Sequence, residues 1–192
     1  MQNRNKLLTA NTIIIIINVL VFAAEFALGG SLSDNIINET CTMYTPYVLE
    51  GQVWRMFTSM FLHFGAAHIF MNMMALYNIG YFLESYIGTK KYILTYVLGG
   101  LCGNLFVLGI DLLTGSSAYG AGASGAIFAV LGAILCIALK DKRSGLSVPN
   151  LISSVIFALL PGFVIPGISW SAHLGGLIGG FLIALIMVRK RN

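Results

Sequence analysis

Six nearly unbroken apolar stretches run along the chain, at 9–28, 65–86, 92–112, 121–139, 148–165 and 171–188, with mostly short connections between them. Each is close to the ~20 residues a helix needs to cross the hydrocarbon core of a bilayer. The pattern predicts an all-α, polytopic membrane bundle of six transmembrane helices, forming one domain over residues 1–192. Composition agrees. Only 9% of the residues are charged, against about 25% in a soluble domain, too few to cover a water-facing surface, and the mean hydropathy is +0.86. The first stretch can also be read as a signal peptide with Arg4 and Lys6 as its basic start. Its apolar run is longer than a usual signal core and no clear A-x-A site follows, which favours a retained span.

Charge gives the expected orientation. With a cytoplasmic N-terminus, Arg4, Lys6, Lys90, Lys91, Lys140, Lys142, Arg143, Arg189, Lys190 and Arg191 all lie inside and only Arg55 lies outside. Short basic loops stay on the cytoplasmic side, so the bias also places the C-terminus there. It accounts for the net charge of +4 without a nucleic-acid partner. Asp34, Glu39, Glu50 and Asp111 fall on or near the outer side. The outer connection 29–64 is long and rich in Met, Tyr, Trp, Val and Phe, so it is expected to lie partly in the membrane interface. Three cysteines, two of them within apolar spans, make no disulfide framework and suit a packing role.

The chemistry shows where polar residues interrupt the spans. His63, His68 and Asn72 open the second span, Gly122, Ser124 and Gly125 the fourth, and His173, Gly176 and Gly180 the sixth. On the expected topology these three spans all descend from the outer face, which brings His68, Ser124 and His173 to one shallow depth. Asn72 follows His68 by four residues and shares its helix face. Gly176, Gly180 and Ala184 form a small-residue stripe, and so do Gly125, Ala129 and Ala133. Such stripes let membrane helices approach closely, which would bring Ser124 and His173 within reach. A serine hydroxyl needs a base to become a nucleophile, and His173 can supply it and later protonate a leaving amine. The Ser124 amide at a helix N-terminus, with His68 and Asn72, can donate to an oxyanion. No Asp or Glu stands where it would orient His173, so the pattern is a dyad. Three histidines without a carboxylate partner, and no H-E-x-x-H, make a weak metal site; no metal or cofactor is expected.

These residues resemble the rhomboid family of intramembrane serine proteases, in its minimal six-span bacterial form. The likeness rests on Trp54-Arg55, His63-x4-His68-x3-Asn72, Gly122-x-Ser124-Gly125 and Ala172-His173-x2-Gly176-x3-Gly180, in that order along nearly the whole chain. The resemblance implies Ser124 as nucleophile, His173 as base, and oxyanion donors from His68, Asn72 and the Ser124 amide. It also implies a water-filled cavity open to the outer face, gated by the fifth span and the loop after it. Substrates would be single-span membrane proteins cut near that face, within a bacterial plasma membrane. Some relatives carry Tyr four residues after the serine where this chain has Phe128, which keeps a ring but no hydroxyl. Ser59 stands where some relatives have His, and no role is assigned to it.

Simpler roles compete at several positions. A Gly-Ala-Ser-Gly stretch in a span is often mere packing. His63 reads as a spacer or structural donor. Trp54 suits the interface, and Arg55 can tie down loop carbonyls. Asn78 and Asn104 read as interhelical hydrogen-bonding residues. Glu25 and Glu84 lie near span ends, where carboxylates reach water. Asn38-Glu-Thr40 fits a glycosylation pattern that matters only in a secretory pathway. A transporter with a polar path through His63, His68, Asn72 and His173 is the chief alternative. Against it, the inner halves of these spans read as mostly apolar. An inactive, ligand-binding relative is a further alternative, disfavoured because both Ser124 and His173 are present.

Overall fold

The computed structural model describes residues 9–29, 36–165 and 167–188; Arg4, Lys6, Asp34, Pro166, Arg189, Lys190 and Arg191, which carried parts of the charge and span readings, lie outside the described residues. The regular structure described is helical, apart from one isolated antiparallel bridge between Met43 and Gly120. In chain order, α1 (Ala10–Ala27) is followed by three short helices in the outer connection, α2 (Ile36–Cys41), α3 (Thr45–Leu49) and α4 (Arg55–Thr58). Then come α5 (Ala66–Ala75), a π turn (Leu76–Gly80) and α6 (Tyr81–Ile87) as one helical run, and α7 (Thr89–Thr114). The chain ends with α8 (Ser124–Lys140), α9 (Val148–Leu159), α10 (Pro161–Val164) and α11 (Trp170–Met187).

This is a multi-pass membrane protein. Three helices, α1, α7 and α11, are clearly long and apolar enough to cross a bilayer. The run Ala66–Ile87 passes only together with Arg55–Phe61, to which it is bent by 90°, and the fourth and fifth predicted spans appear as the shorter apolar helices Ser124–Lys140 and Val148–Val164. Local chemistry explains the shortening. The stretch predicted at 121–139 begins as a helix only at Ser124, because the preceding backbone is held extended: Gly120 exchanges two 2.8 Å hydrogen bonds with Met43, and the Gly122 N–H donates to the Ser59 carbonyl at 2.9 Å. The stretch at 148–165 breaks at Pro161, which has no N–H to continue the helical ladder.

The core is built from α7, α8 and α11. Gly176 and Gly180 of α11 face the backbone of α8 so closely that a Cβ on either would overlap the Gly125 or Ala129 carbonyl oxygen. Gly132 of α8 faces the Leu177 carbonyl in the same way. The two small-residue stripes therefore do meet, as their spacing predicts. Helix α7 is a third partner that the stripes did not announce: Gly99 lies on Ala129, and a Cβ on Gly103 would sit 2.8 Å from the Ala172 carbonyl oxygen.

Buried polar groups fasten the rest, and two differ from expectation. Glu84 is buried rather than water-exposed. Its two oxygens accept the N–H groups of Ala10 (3.0 Å) and Asn11 (2.9 Å), and Thr89 Oγ1 donates to it at 2.9 Å. A carboxylate on the free N–H groups of a helix start suits both the hydrogen-bonding need and the helix dipole. Asn11 donates to the Leu76 carbonyl at the π turn (2.9 Å) and accepts from Tyr92 (2.6 Å). The end of the bundle where α1 begins is thus not simply apolar, as the sequence suggested; its polar groups are tied to one another. Glu25, at the other end of α1, is also buried, against the expectation that it reaches water. Asn78 bonds the Met74 carbonyl of its own helix rather than another helix. Lys140 donates to the Leu185 and Val188 carbonyls, and Lys91 to Met187, capping the end of α11.

The α8–α11 contact predicts a sharp contrast between two glycines. Gly180→Val must push backbone away from backbone and should cost about 1–3 kcal/mol or more, read as a lower midpoint of thermal unfolding in detergent. Gly109→Ala, where an added Cβ meets nothing within 4 Å, should leave the midpoint unchanged. Equal midpoints for the two variants would contradict the packing described.

Candidate active site

The helices α5, α8 and α11 begin at one end of the bundle, and each brings a polar side chain in its first turn. Ser124 is the first residue of α8, and no side chain caps that helix, which leaves its leading N–H groups open. His173 lies on the first turn of α11, whose start is capped by Ser169 Oγ accepting from the Ala172 N–H at 3.1 Å. Ser124 Oγ and His173 Nε2 are 2.9 Å apart. Phe128, one turn on from Ser124, stacks on the His173 imidazole with 4.3 Å between ring centres and 15° between planes. His173 Nδ1 is buried and has no hydrogen-bond partner. Among the described residues no carboxylate hydrogen-bonds this ring, against which Phe128 is stacked.

His68 and Asn72 come to the backbone just ahead of Ser124. A Cβ built on Gly122 would stand 2.8 Å from His68 Cε1, 2.9 Å from His68 Nε2 and 3.7 Å from Asn72 Nδ2. Gly122 has φ +135°, a region that side chains disfavour, so glycine is required here on two counts. Asn72 is buried and its Nδ2 donor has no partner. A buried donor left unpaired is costly unless something else uses it.

The outer connection holds this backbone. Arg55 is buried, and its guanidinium donates to the carbonyls of Thr42 (3.0 Å) and Glu39 (2.6 Å) and to Gln52 Oε1 (2.7 Å), while lying 4.7 Å over the Tyr47 ring. Trp54 is exposed and donates to the Thr40 carbonyl at 3.1 Å. Asn104 of α7 donates to the Met56 carbonyl (2.6 Å) and to Ser59 Oγ (3.1 Å), so its bonds run to the outer connection. Ser59, to which the sequence assigned no role, supports Gly122 through its carbonyl. A backbone-to-backbone tie of this kind leaves no periodic signal. His63 is fully buried, with its ring edge-on to His68 at 5.1 Å. Among the described residues no cluster of three or more His, Cys, Asp or Glu is placed to hold a metal ion.

A helical membrane fold with a serine–histidine pair at shared helix starts defines a class, and comparison with known proteins names its family. A profile described as the Rhomboid domain matches residues 50–190. The chain is 34% identical over 180 residues to "Rhomboid protease GluP" of Bacillus subtilis (strain 168), covering 92% of this chain and 34% of that protein. It is 33% identical over 156 residues to "Putative rhomboid protease YdcA" of the same organism, covering 80% of this chain and 77% of that protein. It is 28% identical over 201 residues to "Rhomboid protease AarA" of Providencia stuartii, covering 91% and 71%. The chain belongs to the rhomboid family. It spans about a third of the length of GluP, so the match covers one part of that larger protein.

The Arg55 contacts generate a stability prediction. Arg55→Leu leaves two loop carbonyls without their charged donor, at about 1.5–3 kcal/mol each if no water replaces it. Thermal unfolding in detergent should show a clear fall in midpoint, with Arg55→Lys intermediate. An unchanged midpoint for Arg55→Leu would mean that the guanidinium does not hold the outer connection.

Proposed function

We propose that this protein is an intramembrane serine endopeptidase that cuts transmembrane-segment substrates through a Ser124–His173 dyad. The observation that carries the reading is the 2.9 Å contact between Ser124 Oγ and His173 Nε2, beside the unpaired Asn72 donor. Similarity to three relatives named as rhomboid proteases supports the same reading.

His173 Nε2 takes the Ser124 proton as Oγ bonds to the scissile carbonyl carbon. The carbonyl π electrons move onto oxygen, which His68, Asn72 and the Ser124 N–H stabilise. Collapse of this intermediate breaks the C–N bond, and His173 gives the proton to the leaving amine. Water, deprotonated by His173, then attacks the acyl-serine ester and releases the acid, returning the proton to Ser124. In soluble triads the carboxylate partner of the histidine is worth about 10⁴-fold. A dyad that lacks this carboxylate is therefore expected to turn over slowly.

In this reading the shorter helices and the bent run also cross the bilayer, making six spans with both termini cytoplasmic, and the site opens to the outer face of a bacterial plasma membrane. Substrates are single-span membrane proteins cut near that face. Gly125, Gly176 and Gly180 serve the packing of α8 on α11, and Gly122 the approach of His68. No metal or nucleic acid takes part. Against a transporter, Asn11, Glu84, Tyr92 and Thr89 at the far end of the bundle are engaged in hydrogen bonds with one another.

Labelling with a fluorophosphonate probe tests the reading. Wild type should label, and Ser124→Ala and His173→Ala should not; labelling that survives Ser124→Ala would sink the serine mechanism. Transport by the Ser124→Ala protein would favour the alternative. Removing an oxyanion donor typically costs about 10²–10³-fold in kcat. Asn72→Ala and His68→Ala should show losses of that order against a transmembrane substrate, with KM little changed.

A further inference from the structure

Glu25 has no part in the chemistry above, yet it occupies an expensive place. It sits in the last turn of α1 and is 0% exposed, where an ionisable side chain in an apolar helix is rare and usually functional. Its Oε2 accepts the backbone N–H of His63 at 3.2 Å, and its Oε1 is buried with no partner. The acceptor is spent on a segment with no helical ladder of its own: His63 lies between the turn Ser59–Phe61 and α5, at the 90° bend, just ahead of Gly65 with φ +102°.

What His63 touches makes this tie consequential. Its ring is 0% exposed, enclosed by the packing around it. The ring lies edge-on to His68, 5.1 Å between centres and 64° between planes. His68 in turn lies against Gly122, two residues before Ser124. A continuous series of contacts thus runs from the Glu25 carboxyl to the His63 backbone, the His63 ring, the His68 ring and the approach to Ser124. We propose that Glu25 is a positioning residue for the oxyanion side of the site: it anchors His63, and the His63 ring sets the orientation of the His68 imidazole. The proposal rests on the reading of His68 as an oxyanion donor.

Only an acceptor oxygen is needed, so Gln can substitute and an apolar residue cannot, because it leaves the buried His63 N–H unpaired. The test compares wild type, Glu25→Gln, Glu25→Leu, His68→Ala and the double variant Glu25→Leu/His68→Ala, on a fluorogenic transmembrane substrate. Each is titrated with the fluorophosphonate so that kcat is counted per reactive Ser124, which removes the effect of misfolded protein. A displaced catalytic group loses rate steeply, so Glu25→Leu should lower kcat by about tenfold with KM unchanged. Glu25→Gln should stay within about twofold of wild type, and the double variant should be no slower than His68→Ala, since residues acting through one group do not add. If Glu25→Leu does not fold, Glu25→Met replaces it with the same expectation. Wild-type kcat per site in the apolar variant, or losses that add in the double variant, would overturn the proposal. A His68→Ala protein with undiminished kcat would overturn the donor reading beneath it, and the proposal with it.

Discussion

Two helices that touch backbone to backbone govern this structure. Where Gly176 and Gly180 meet Gly125 and Ala129, no side chain lies between α8 and α11 to take up slack. In lipid there is little hydrophobic force to pull helices together, and contact of this kind depends on van der Waals packing over small residues. The same contact sets the spacing of everything carried on the first turns of the two helices. Ser124 lies one residue ahead of the first contact, and His173 three residues ahead of its partner. Their 2.9 Å separation follows from the glycines below them.

The membrane adds a second constraint, since every buried polar group needs a partner inside the protein. Much of the chain complies: Glu84 closes the start of α1, Asn11 and Tyr92 close the π turn, and Arg55 closes the loop carbonyls. Around the proposed site the pattern differs. There Asn72 and His173 each keep a buried polar atom without a partner. Polar atoms held in readiness near a nucleophile suit a reaction in which charge appears only transiently.

Much of this was legible in the sequence because the signals are of two visible kinds. Polar residues stand out in apolar spans, which exposed Ser124, His68, Asn72 and His173. Small residues at four-residue spacing stand out too, which exposed the α8–α11 seam. What stayed hidden was a matter of backbone partners. Glu25 and Glu84 accept backbone N–H groups, and Ser59 supports Gly122 through a carbonyl; such bonds have no period and no required partner type. A glutamate near a span end looks water-bound until the chain beside it is known. Gly99 and Gly103 of α7 also stand four residues apart and face both α8 and α11, so that contact did carry the same signal. Helix lengths were overestimated where tertiary ties override apolar continuity, as at Gly120 and Gly122, and where Pro161 interrupts it.

The central claim is that Ser124, His173, His68 and Asn72 act on one carbonyl. The most direct measurement is an experimental structure of the protein after reaction with a fluorophosphonate. The account predicts phosphorus bonded to Ser124 Oγ, with its free oxygen within hydrogen-bond distance of His68, Asn72 and the Ser124 N–H. Phosphorus on another residue, or an oxygen turned away from both His68 and Asn72, would contradict it.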